Sequence, residues 1–450
     1  MFTLSDITRI VSGRRLESVD HPVLGVTHDS RAVDPGDLFI ALRGRRTDGH
    51  RYLKQAYRRG AVGALVSDPR AIPKGAINVV VVKDTLAALQ QLGRAWRRKL
   101  DARFIAITGS NGKTTTKELV AHLLAETYDV FTAPGNYNTE IGTPLALLAM
   151  PEHAEVGVFE MGAEAPGDIR FLADLLTPDT ALVTGVGPSH LEGFGTVRAV
   201  ASEKWSLVRS LAGDRIAFVN ADSAELRTLL SHGPASCVSV GMEHGTFRGR
   251  LVQSVPRLVV ETKEPSLILD TPLLGRHNAT NVLLAAAAAV HFHVPAETIA
   301  SRIRNAPIPP HRLERIRTSF GWILDDTYNA NPASGAAALE VLASLGSPAD
   351  RRVFVFGDML GLGDRSGAEH RKILDAAIQA EIDVVLPVGD RATGACRNVS
   401  HPSIVFCERD DVPRAIRTMA ADRSTVVLIK GSHDLDMESI VAALQKPVEP

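Results

Sequence analysis

Short apolar runs alternate with longer amphipathic stretches along most of the chain. Apolar runs rich in Val, Ile and Phe are typical of buried strands, whereas apolar residues that recur about every three or four positions indicate helices. Strands that alternate with helices favour parallel sheets whose faces are covered by helices. The pattern therefore predicts the α/β fold class, and it divides the chain into three blocks.

The first block, residues 1–83, predicts a small N-terminal α/β domain. One helical stretch covers residues 52–59, and an amphipathic helix over residues 84–100 leads into the next block. Turn-forming residues separate the strand candidates of this block. These candidates are residues 38–42, 64–66 and 78–82.

The second block, residues 84–312, repeats strand and helix, which predicts a central domain with a parallel sheet like that of P-loop ATPases. Its strand candidates are residues 104–107, 156–159, 181–186 and 216–219. Its helix candidates are residues 114–125, 168–175, 197–211 and 278–290. Residues 247–274 include β-rich runs at 258–261 and 267–269 without helices between them. We expect a small antiparallel element there.

The third block, residues 313–450, follows a Pro-rich segment at residues 309–312 that is a candidate hinge. Strand–helix alternation resumes, which predicts a C-terminal Rossmann-like, doubly wound domain. The strand candidates are residues 322–324, 353–356, 384–386, 404–406 and 426–429. The helix candidates are residues 333–345, 369–379, 412–419 and 437–444.

Composition and charge narrow the possible partners. The 450 residues are 45% hydrophobic and 22% charged, with a net charge of -1, so no basic field favours nucleic acid or an anionic membrane. Three cysteines without a CxxC pair favour a reducing compartment. The N-terminus lacks the apolar run of a signal peptide, and residues 282–290 are too few to span a bilayer. We expect a cytoplasmic monomer that is not inserted in a membrane.

The strongest chemical signal is FIAITGSNGKTTTKELVAHLL, in which an apolar strand leads into a glycine-containing turn and a helix. Glycines let backbone N–H groups surround phosphate oxygens, and the helix N-terminus adds its positive dipole end. Lys113 is placed to reach the β- and γ-phosphates, and the Thr114 hydroxyl to bind Mg²⁺. The expected ATP contacts are Gly109, Ser110, Asn111, Gly112, Lys113, Thr114 and Thr115.

The spacing of this loop departs from the strict Walker pattern, which would require glycine where the chain has Ile107. A plain glycine-rich turn between a strand and a helix is the alternative interpretation. Lys-Thr at the start of the helix favours the nucleotide loop over that alternative.

Two further candidates follow strands of the second block. Glu160 comes directly after residues 156–159, and His190 lies shortly after residues 181–186. Because the carboxyl ends of parallel strands converge on the ligand crevice, both side chains would face the nucleotide and hold metal. Taken alone, a surface carboxylate and a loop histidine are the simpler interpretations. The preceding phosphate loop favours the site.

Polar residues also gather near the boundaries of the third block. In GRHNATN, Asn278 is placed to cap a helix, whereas Asn281 lies inside the helix, where it is free to read a base edge. DDTYNANP crowds polar residues where a strand meets a helix, which suits either ligand contact or a turn with an N-cap. Arg312 lies at the hinge and would clamp phosphates if the domains close.

Together these motifs resemble those of the Mur ligases, the ATP-dependent amide-forming enzymes of peptidoglycan assembly. The similarity spans essentially the whole chain, since TGSNGKTTT, GNYNTEIGTP, FEMGA, PSHLEGFG, GRHNATN, HRLE and DDTYNANP occur in family order. HLEGFG, DDTYNANP and VFGDMLGLG are most similar to the subgroup that adds D-alanyl-D-alanine (D-Ala-D-Ala) to UDP-N-acetylmuramoyl-tripeptide (UDP-MurNAc-tripeptide). The DNPR motif of the lysine- and diaminopimelate-adding relatives does not occur. THDSR, PGDLFIALRG and DGH resemble the segment that binds the UDP end of the substrate.

The resemblance implies a reaction in two steps. The substrate carboxylate attacks the γ-phosphate of ATP to give an acyl phosphate, and the amine of D-Ala-D-Ala then displaces phosphate. Lys113, His190 and Lys204 are the implied catalytic residues. The implied ligands of Mg²⁺ are Thr114, Glu160, His190 and Lys204, the last at the position of a carbamylated lysine.

The resemblance also implies further contacts. Asn281 would read adenine, while Arg312 and Asp326 would contact the nucleotide from the hinge and the third domain. Matching positions in the quoted motifs imply a set of substrate-binding residues. These are Ser30, Arg31, Gly44, Asp48, His50, Asn136, Asn138, Tyr328, Asn329 and Asn331.

Several positions depart from the family pattern. They are Thr139 and Gly185 in place of Asn, Trp205 and Ser206 where an acidic residue is common, Gly361 in place of Glu and His433 in place of Arg. The changes lie nearer to metal, acceptor or third-domain contacts than to the phosphate loop. A paralogous amide ligase with a different acceptor therefore stays an alternative. A non-catalytic nucleotide-binding protein is a second alternative, against which the intact Lys113 and Glu160 speak.

Overall fold

A computed structural model describes residues 2–16, 20–44, 47–76, 78–233 and 236–446. Within these ranges the chain forms three sheets that follow one another along the sequence, each with helices packed against it. The α/β fold class predicted from the sequence is confirmed.

The first sheet has five strands. In chain order the elements are α1 (Leu4–Ile10), β1 (Arg14–Leu16), β2 (Gly25–Thr27), β3 (Asp37–Ile40), α2 (Leu53–Arg58), β4 (Gly63–Val66) and β5 (Val79–Val81). The strand order is β1-β5-β4-β3-β2, with β1 antiparallel to β5 and the other pairs parallel. A 3₁₀ turn, Gly49–Tyr52, precedes α2, so the helix predicted over residues 52–59 begins one residue later, at Leu53.

Helix α3 (Thr85–Arg97) joins the first sheet to the second. Asp84 caps it, because its side chain accepts hydrogen bonds from the second and third N–H groups of the helix. Leu89, Leu92 and Trp96 lie on one buried face. The Trp96 ring packs edge-on against Phe2 with centroids 5.3 Å apart, so one apolar core is shared between α1 and the helices of the second sheet.

The second sheet has nine strands. Its elements are β6 (Arg103–Thr108), α4 (Lys113–Leu124), β7 (Val130–Thr132), α5 (Gly142–Ala149), β8 (Val156–Glu160), α6 (Asp168–Leu176), β9 (Thr180–Val183), α7 (Leu191–Phe194), α8 (Val197–Arg209), β10 (Ile216–Asn220), α9 (Ala224–Leu230), β11 (Cys237–Gly241), β12 (Phe247–Gln253), β13 (Leu258–Lys263), β14 (Ser266–Thr271), α10 (His277–His291) and α11 (Ala296–Ile303). The strand order is β14-β13-β12-β11-β10-β9-β6-β8-β7.

Strands β6 to β12 of this sheet are parallel to one another, β13 is antiparallel to β12, and β14 is antiparallel to β13. The predicted antiparallel element is therefore present, but it extends the central sheet instead of standing apart from it. Because β6 lies between β8 and β9, the loops that follow these three strands open at the same edge of the sheet. This arrangement places the phosphate loop beside Glu160 and the loop that carries His190.

The third sheet has five strands. Its elements are β15 (Glu314–Thr318), β16 (Gly321–Asp326), α12 (Pro332–Ser344), β17 (Arg351–Gly357), α13 (Ser366–Gln379), β18 (Val384–Val388), α14 (Asp390–Arg397), α15 (Val412–Met419), β19 (Thr425–Lys430) and α16 (Glu438–Gln445). The order is β15-β16-β19-β17-β18, with β15 antiparallel to β16 and the other pairs parallel. Short 3₁₀ turns lie at Pro69–Ala71, Gly363–Arg365, Arg409–Asp411 and His433–Leu435.

The strand predicted over residues 404–406 is wrong. Ile404 makes a single bridge to Val385, and its N–H donates to the carbonyl of His401, so a turn replaces continued pairing. Helix α5 was not expected, because its sequence GTPLALLA is apolar on almost every side and shows no helical period. It is a buried helix, which explains that composition.

Two structural features bear on the environment of the chain. Cys237, Cys396 and Cys407 are free thiols. Within the described ranges, no helix is both long and apolar enough to cross a membrane.

Trp96→Ala is expected to destabilise the protein by about 3–5 kcal/mol, because it leaves a cavity in the core that joins the first two sheets. Trp96→Phe should cost less, since it keeps most of the packing and loses chiefly the hydrogen bond from the indole N–H to the Met150 carbonyl, which is 3.0 Å long. The melting temperature of each variant measures this. Equal losses in both would show that the hydrogen bond, and not the packing, carries the contribution.

Candidate active site

A cavity of about 780 Å³ opens where the second and third sheets face one another. It is lined by the loops after β6, β8 and β9, by the start of α10 and by the loop after β16. Most of the predicted site residues line it. They are Gly109, Ser110, Asn111, Gly112, Lys113, Thr114, Thr115, Asn136, Asn138, Glu160, His190, Lys204, Asn281, Arg312, Asp326, Tyr328, Asn329 and Asn331.

The phosphate loop between β6 and α4 packs closely against Thr184 and Asn281. The Thr184 hydroxyl donates to the carbonyl of Asn111 over 2.5 Å, and a Cβ on Gly109 would lie 2.0 Å from that hydroxyl oxygen. Gly112 has φ +81°, and a Cβ there would lie 2.3 Å from Oδ1 of Asn281. Both glycines are therefore needed for close contact, and the inner face of the loop is left to the cavity.

Thr114 and Glu160 meet at the floor of the cavity. Thr114 Oγ1 donates to Glu160 Oε2 over 2.7 Å, and the side-chain amide of Asn138 donates to Glu160 Oε1. Glu160 is the last residue of β8 and pairs in register with Ile107 of β6, which brings it beside the loop. Hydroxyl and carboxylate oxygens are ligands that Mg²⁺ prefers, so these residues fit the predicted metal.

The side chain of Lys113 folds back onto the phosphate loop. Its Nζ donates to the carbonyl of Gly109 over 3.0 Å. Desolvation lowers the pKa of Lys113; the carboxylate of Glu160 acts in the opposite direction, and the positive charge of Arg312 lowers the pKa further. A cation that is held in this way, beside a second cation, is poised to meet phosphate oxygens.

Lys204 and His190 also line the cavity. Lys204 is 2% exposed, and no described residue accepts a hydrogen bond from its Nζ. Burial, helped by the charge of Lys113, lowers the pKa of Lys204 to about 7. Desolvation and the charges of Lys204 and Lys113 also lower the pKa of His190, against the opposing effect of Glu164. Its imidazole is therefore neutral at pH 7, the form that binds a metal.

Arg312 reaches the phosphate loop from the hinge. Its Nη2 donates to Thr114 Oγ1 over 2.9 Å, and its guanidinium carbon lies 4.1 Å from the centroid of the Tyr328 ring. The flanking residues His311 and Leu313 have φ of +60° and +51°, which is costly for residues other than glycine. The strained backbone on both sides aims the Arg312 side chain at the loop.

Asp326 and Lys430 form a buried ion pair at the edge of the third sheet. Lys430 is 3% exposed, and its Nζ donates to Asp326 Oδ2 over 2.6 Å and to the carbonyl of Asn329 over 2.9 Å. The parallel pairing of β16 with β19 sets the two residues opposite each other. Because Asp326 Oδ1 also accepts the N–H of Leu313 over 3.2 Å, the pair anchors the hinge to the sheet.

Two contacts hold the third sheet against the central one beside the cavity. Asn331 Nδ2 donates to Asn111 Oδ1 over 2.6 Å, while the Asn331 side chain also caps α12. Glu192 Oε1 accepts the N–H of Gly363 over 3.1 Å. Together with the Arg312–Thr114 hydrogen bond, these contacts place the third domain directly over the phosphate loop.

Asn281, on α10, contacts the first turns of α4, directly after the phosphate loop. Its Oδ1 accepts from Thr116 Oγ1 over 3.3 Å, and its Nδ2 donates to Asn278 Oδ1 over 2.9 Å. The capping role considered for Asn278 is wrong, because this residue lies inside the helix and its Nδ2 donates to the Leu274 carbonyl over 2.8 Å. Recognition of adenine by Asn281 stays a prediction.

Five predicted substrate residues of the first domain, Ser30, Arg31, Gly44, Asp48 and His50, lie outside the cavity. His50 is 4% exposed; Nε2 accepts the N–H of Ser67 over 2.9 Å, and Nδ1 lies 2.6 Å from Asp48 Oδ1. Both ring nitrogens are thus engaged, so His50 supports the turn that presents Asp48, and its contact with substrate stays a prediction. Contacts by the other four residues stay predictions. From this domain, His28 reaches the cavity.

Thr184, Asn220 and Lys430 line the cavity but are not among the site residues that the sequence predicts. The side-chain amide of Asn220 donates to the Thr184 carbonyl over 2.8 Å, which fixes the strand end behind the phosphate loop. Each of the three residues ends or follows a strand at the carboxyl edge of its sheet. Their positions at the carboxyl ends of strands, like those of Glu160 and His190, are therefore the sequence signal that indicates them.

Known proteins resemble the chain over its whole length. Three family models match: "Mur ligase family, catalytic domain" over residues 22–97, "Mur ligase middle domain" over residues 107–289, and "Mur ligase, glutamate ligase domain" over residues 311–433. The UDP-N-acetylmuramoyl-tripeptide–D-alanyl-D-alanine ligase of Bacillus subtilis (strain 168) is 34% identical over 438 residues, which cover 93% of each chain.

Solved structures agree with this similarity. MurF from Acinetobacter baumannii superposes with a TM-score of 0.88 at 28% identity over 99% of each chain. The MurF ligase from Thermotoga maritima in complex with ADP gives a TM-score of 0.80 at 25% identity, over 94% of this chain and 97% of that one.

Gly112→Ala is expected to weaken ADP binding about tenfold or more, because a left-handed alanine costs roughly 1–2 kcal/mol and its Cβ would displace Asn281. Titration calorimetry with MgADP measures the effect. Gly394→Ala is the matched control, since a Cβ at that position in α14 meets nothing within 4 Å. Unchanged ADP affinity in Gly112→Ala would contradict the assignment of the loop.

Proposed function

Because the chain belongs to the Mur ligase family, we propose that it joins D-Ala-D-Ala to UDP-MurNAc-tripeptide in peptidoglycan precursor synthesis, converting ATP to ADP and phosphate. The observation that carries this proposal is the convergence of the phosphate loop, the Thr114–Glu160 pair and Arg312 on one cavity. Relatives that bear the name of this activity match almost the full chain. The ADP complex of the Thermotoga maritima relative supports ATP as the nucleotide.

The first step transfers the γ-phosphoryl group to the substrate carboxylate. A carboxylate oxygen attacks the γ-phosphorus, the bond to the β–γ bridging oxygen breaks, and ADP leaves. Lys113 and the N–H groups of the loop offset the charge on the phosphoryl oxygens. Arg312 adds a second cation from the hinge, since its guanidinium already lies against Thr114.

The second step forms the amide. The amine of D-Ala-D-Ala attacks the acyl carbon, the bond between that carbon and the phosphate oxygen breaks, and the proton that the amine loses leaves with the phosphate as hydrogen phosphate. We assign the acceptor to the part of the cavity that Tyr328, Asn329 and Asn331 line. The UDP end is assigned to the domain of residues 1–83, ATP to residues 84–312, and the acceptor side to residues 313–450.

Mg²⁺ is the proposed metal cofactor, and it supplies positive charge next to the β- and γ-phosphates. Thr114 and Glu160 would hold one ion, and His190 with Lys204 a second. The short contact between the Thr114 hydroxyl and the Glu160 carboxylate supports the first of these sites. We further propose that the enzyme works as a monomer in the cytoplasm, where ATP is made and where its three free cysteines stay reduced.

We also propose that Lys204 is carbamylated. At a pKa of about 7, much of the amine is neutral at pH 7 to 8, and the neutral nitrogen is the form that attacks the carbon of CO₂. One proton is lost as the N–C bond forms, so a carbamate with a charge of about -1 replaces the ammonium. Its oxygens would complete the second metal site beside His190.

ADP release is expected to require both UDP-MurNAc-tripeptide and D-Ala-D-Ala, as a screen of acceptors with a coupled ADP assay would show. Lys113→Met should lower kcat by about 100-fold or more, since it keeps the side-chain length and removes the charge that meets the phosphoryl group. ADP release with another acceptor, and none with D-Ala-D-Ala, would instead favour a paralogous amide ligase. The departures at Gly361 and His433 make that outcome worth including in the screen.

Enzyme supplied with ¹³C-bicarbonate is expected to show a carbamate carbon signal in NMR that Lys204→Gln lacks. The pKa of Lys204 is lowered to about 7, so the amine is neutral above that pH and protonated below it. Signal and activity should therefore fall together as the pH drops from 8 to 6. Lys263→Gln, at an exposed position of the β13–β14 hairpin, is the control and should keep the signal. A wild-type enzyme without a carbamate signal at pH 8 would refute the modification.

A further inference from the structure

Lys117 is a buried lysine on α4 that the reaction described above does not use. It lies one helical turn beyond Lys113 and Thr114 and is 2% exposed. Its Nζ donates to the carbonyl of Ala133 over 2.8 Å and lies 3.1 Å from Oε1 of Glu118. The ammonium is therefore held inside the central domain and away from the phosphate loop on the same helix.

The position of Lys117 would suit an apolar residue. Lys117, Val120 and Leu124 follow the helical spacing that places residues on one face, and all three are buried. Burial of an ammonium costs several kcal/mol unless it is paired and hydrogen-bonded. Two contacts offset this cost for Lys117, the ion pair with Glu118 and the hydrogen bond to the Ala133 carbonyl, and the second of these reaches another segment of the chain.

Ala133 is the point at which the chain leaves the sheet for the active site. Its N–H donates to the Val158 carbonyl over 3.1 Å, which continues the pairing of β7 with β8. The loop over residues 134–139 then begins, and the Gly162 N–H ties its far end by donating to the Asn138 carbonyl over 2.9 Å. Lys117 therefore fixes the start of a short loop whose far end lies beside the cavity.

The far end of this loop orients the carboxylate of Glu160. The Asn138 amide donates to one carboxylate oxygen of Glu160, and the Thr114 hydroxyl donates to the other. The contacts form a closed ring: Thr114 and Lys117 share α4, Lys117 holds Ala133, the loop carries Asn138, and Asn138 holds Glu160. Helix α4 thus supplies two groups that act on the Glu160 carboxylate. Thr114 contacts it directly, and Lys117 acts on it through Ala133 and Asn138.

We propose that Lys117 is a positioning residue, whose ammonium holds the Ala133 carbonyl so that Asn138 keeps Glu160 in the orientation that binds the Mg²⁺ of the nucleotide. The part that concerns Mg²⁺ rests on the function proposed above. The part that concerns the loop does not, because it follows from contacts within this chain alone.

The test compares Lys117→Met with the wild-type protein by two measurements. Hydrogen exchange of the ligand-free protein should be faster over residues 133–139 in the variant, because the start of the loop is no longer held. In titration calorimetry, the Mg²⁺ concentration that half-saturates the effect on ADP affinity should rise about tenfold, the size expected when a group that orients a metal ligand is lost. ADP affinity in the absence of Mg²⁺ should change little.

Leu124→Ala is the matched control for lost stability. Leu124 is buried on the same face, about 10 Å further along the helix, and its truncation leaves the loop contacts in place. It should lower the melting temperature without changing the Mg²⁺ dependence or the exchange over residues 133–139. The same Mg²⁺ shift in both variants would overturn the proposal, because it would show a general effect of a weakened core.

Lys117→Arg and Glu118→Gln separate the carbonyl contact from the ion pair. Arginine keeps a donor for Ala133 and should restore part of the Mg²⁺ dependence, while Glu118→Gln should keep most of it because Lys117 still reaches Ala133. If Lys117→Met does not fold, Lys117→Leu makes the same comparison, because it also removes the donor for Ala133. Unchanged exchange over residues 133–139 would overturn the role in the loop. Wild-type protein that does not bind MgADP would instead refute the proposed function and leave the exchange result standing.

Discussion

Burial of the cations that converge on the cavity, together with the repulsion among them, is the constraint on which the rest of the site depends. Desolvation is the largest cause that lowers the pKa of Lys113, Lys204 and His190. The charge of Arg312 adds to this lowering at Lys113, and the charge of Lys113 adds to it at Lys204 and His190. The carboxylate of Glu160 opposes the lowering at Lys113 and outweighs the effect of Arg312 there, but it does not outweigh desolvation. Such a site favours a ligand of high negative charge, because each phosphate oxygen replaces repulsion by attraction in a cavity of low dielectric.

The position of the third domain follows from the same constraint. Arg312 comes from the hinge, so closure of this domain over the phosphate loop adds a cation to a place that already holds Lys113. The contacts that offset this cost include neutral hydrogen bonds, such as that between Asn331 and Asn111, and each contributes only about 1 kcal/mol. A polyphosphate that touches Arg312 and Lys113 together would contribute more, because charge-assisted bonds are stronger. Nucleotide binding and domain closure are therefore expected to be coupled.

The alternation of strand and helix predicts the α/β class, and the rule that parallel strands end at one edge predicts that the phosphate loop, Glu160 and His190 meet. Both rules work because they depend on local sequence and on the direction of the strands. Residues 404–406 show where the first rule fails, since an apolar run alone does not reveal that pairing stops after a single bridge to Val385. His50 shows what motif similarity does not reveal, since its hydrogen bond from Ser67 depends on a contact between distant parts of the chain.

On helix α8, contacts of Glu203 outside the cavity affect the charge of Lys204, which lines the cavity. Glu203 accepts the N–H of Gly167 over 2.9 Å and that of Ile169 over 2.7 Å, so it satisfies donors at the start of α6. Successive helix residues point about 100° apart, so the contact that fixes Glu203 also turns Lys204 towards the cavity. Glu203 raises the pKa of Lys204 through space, yet its oxygens are engaged by α6 and do not pair with the amine. Desolvation therefore prevails, and the neutral amine is favoured because its neighbouring carboxylate is occupied elsewhere.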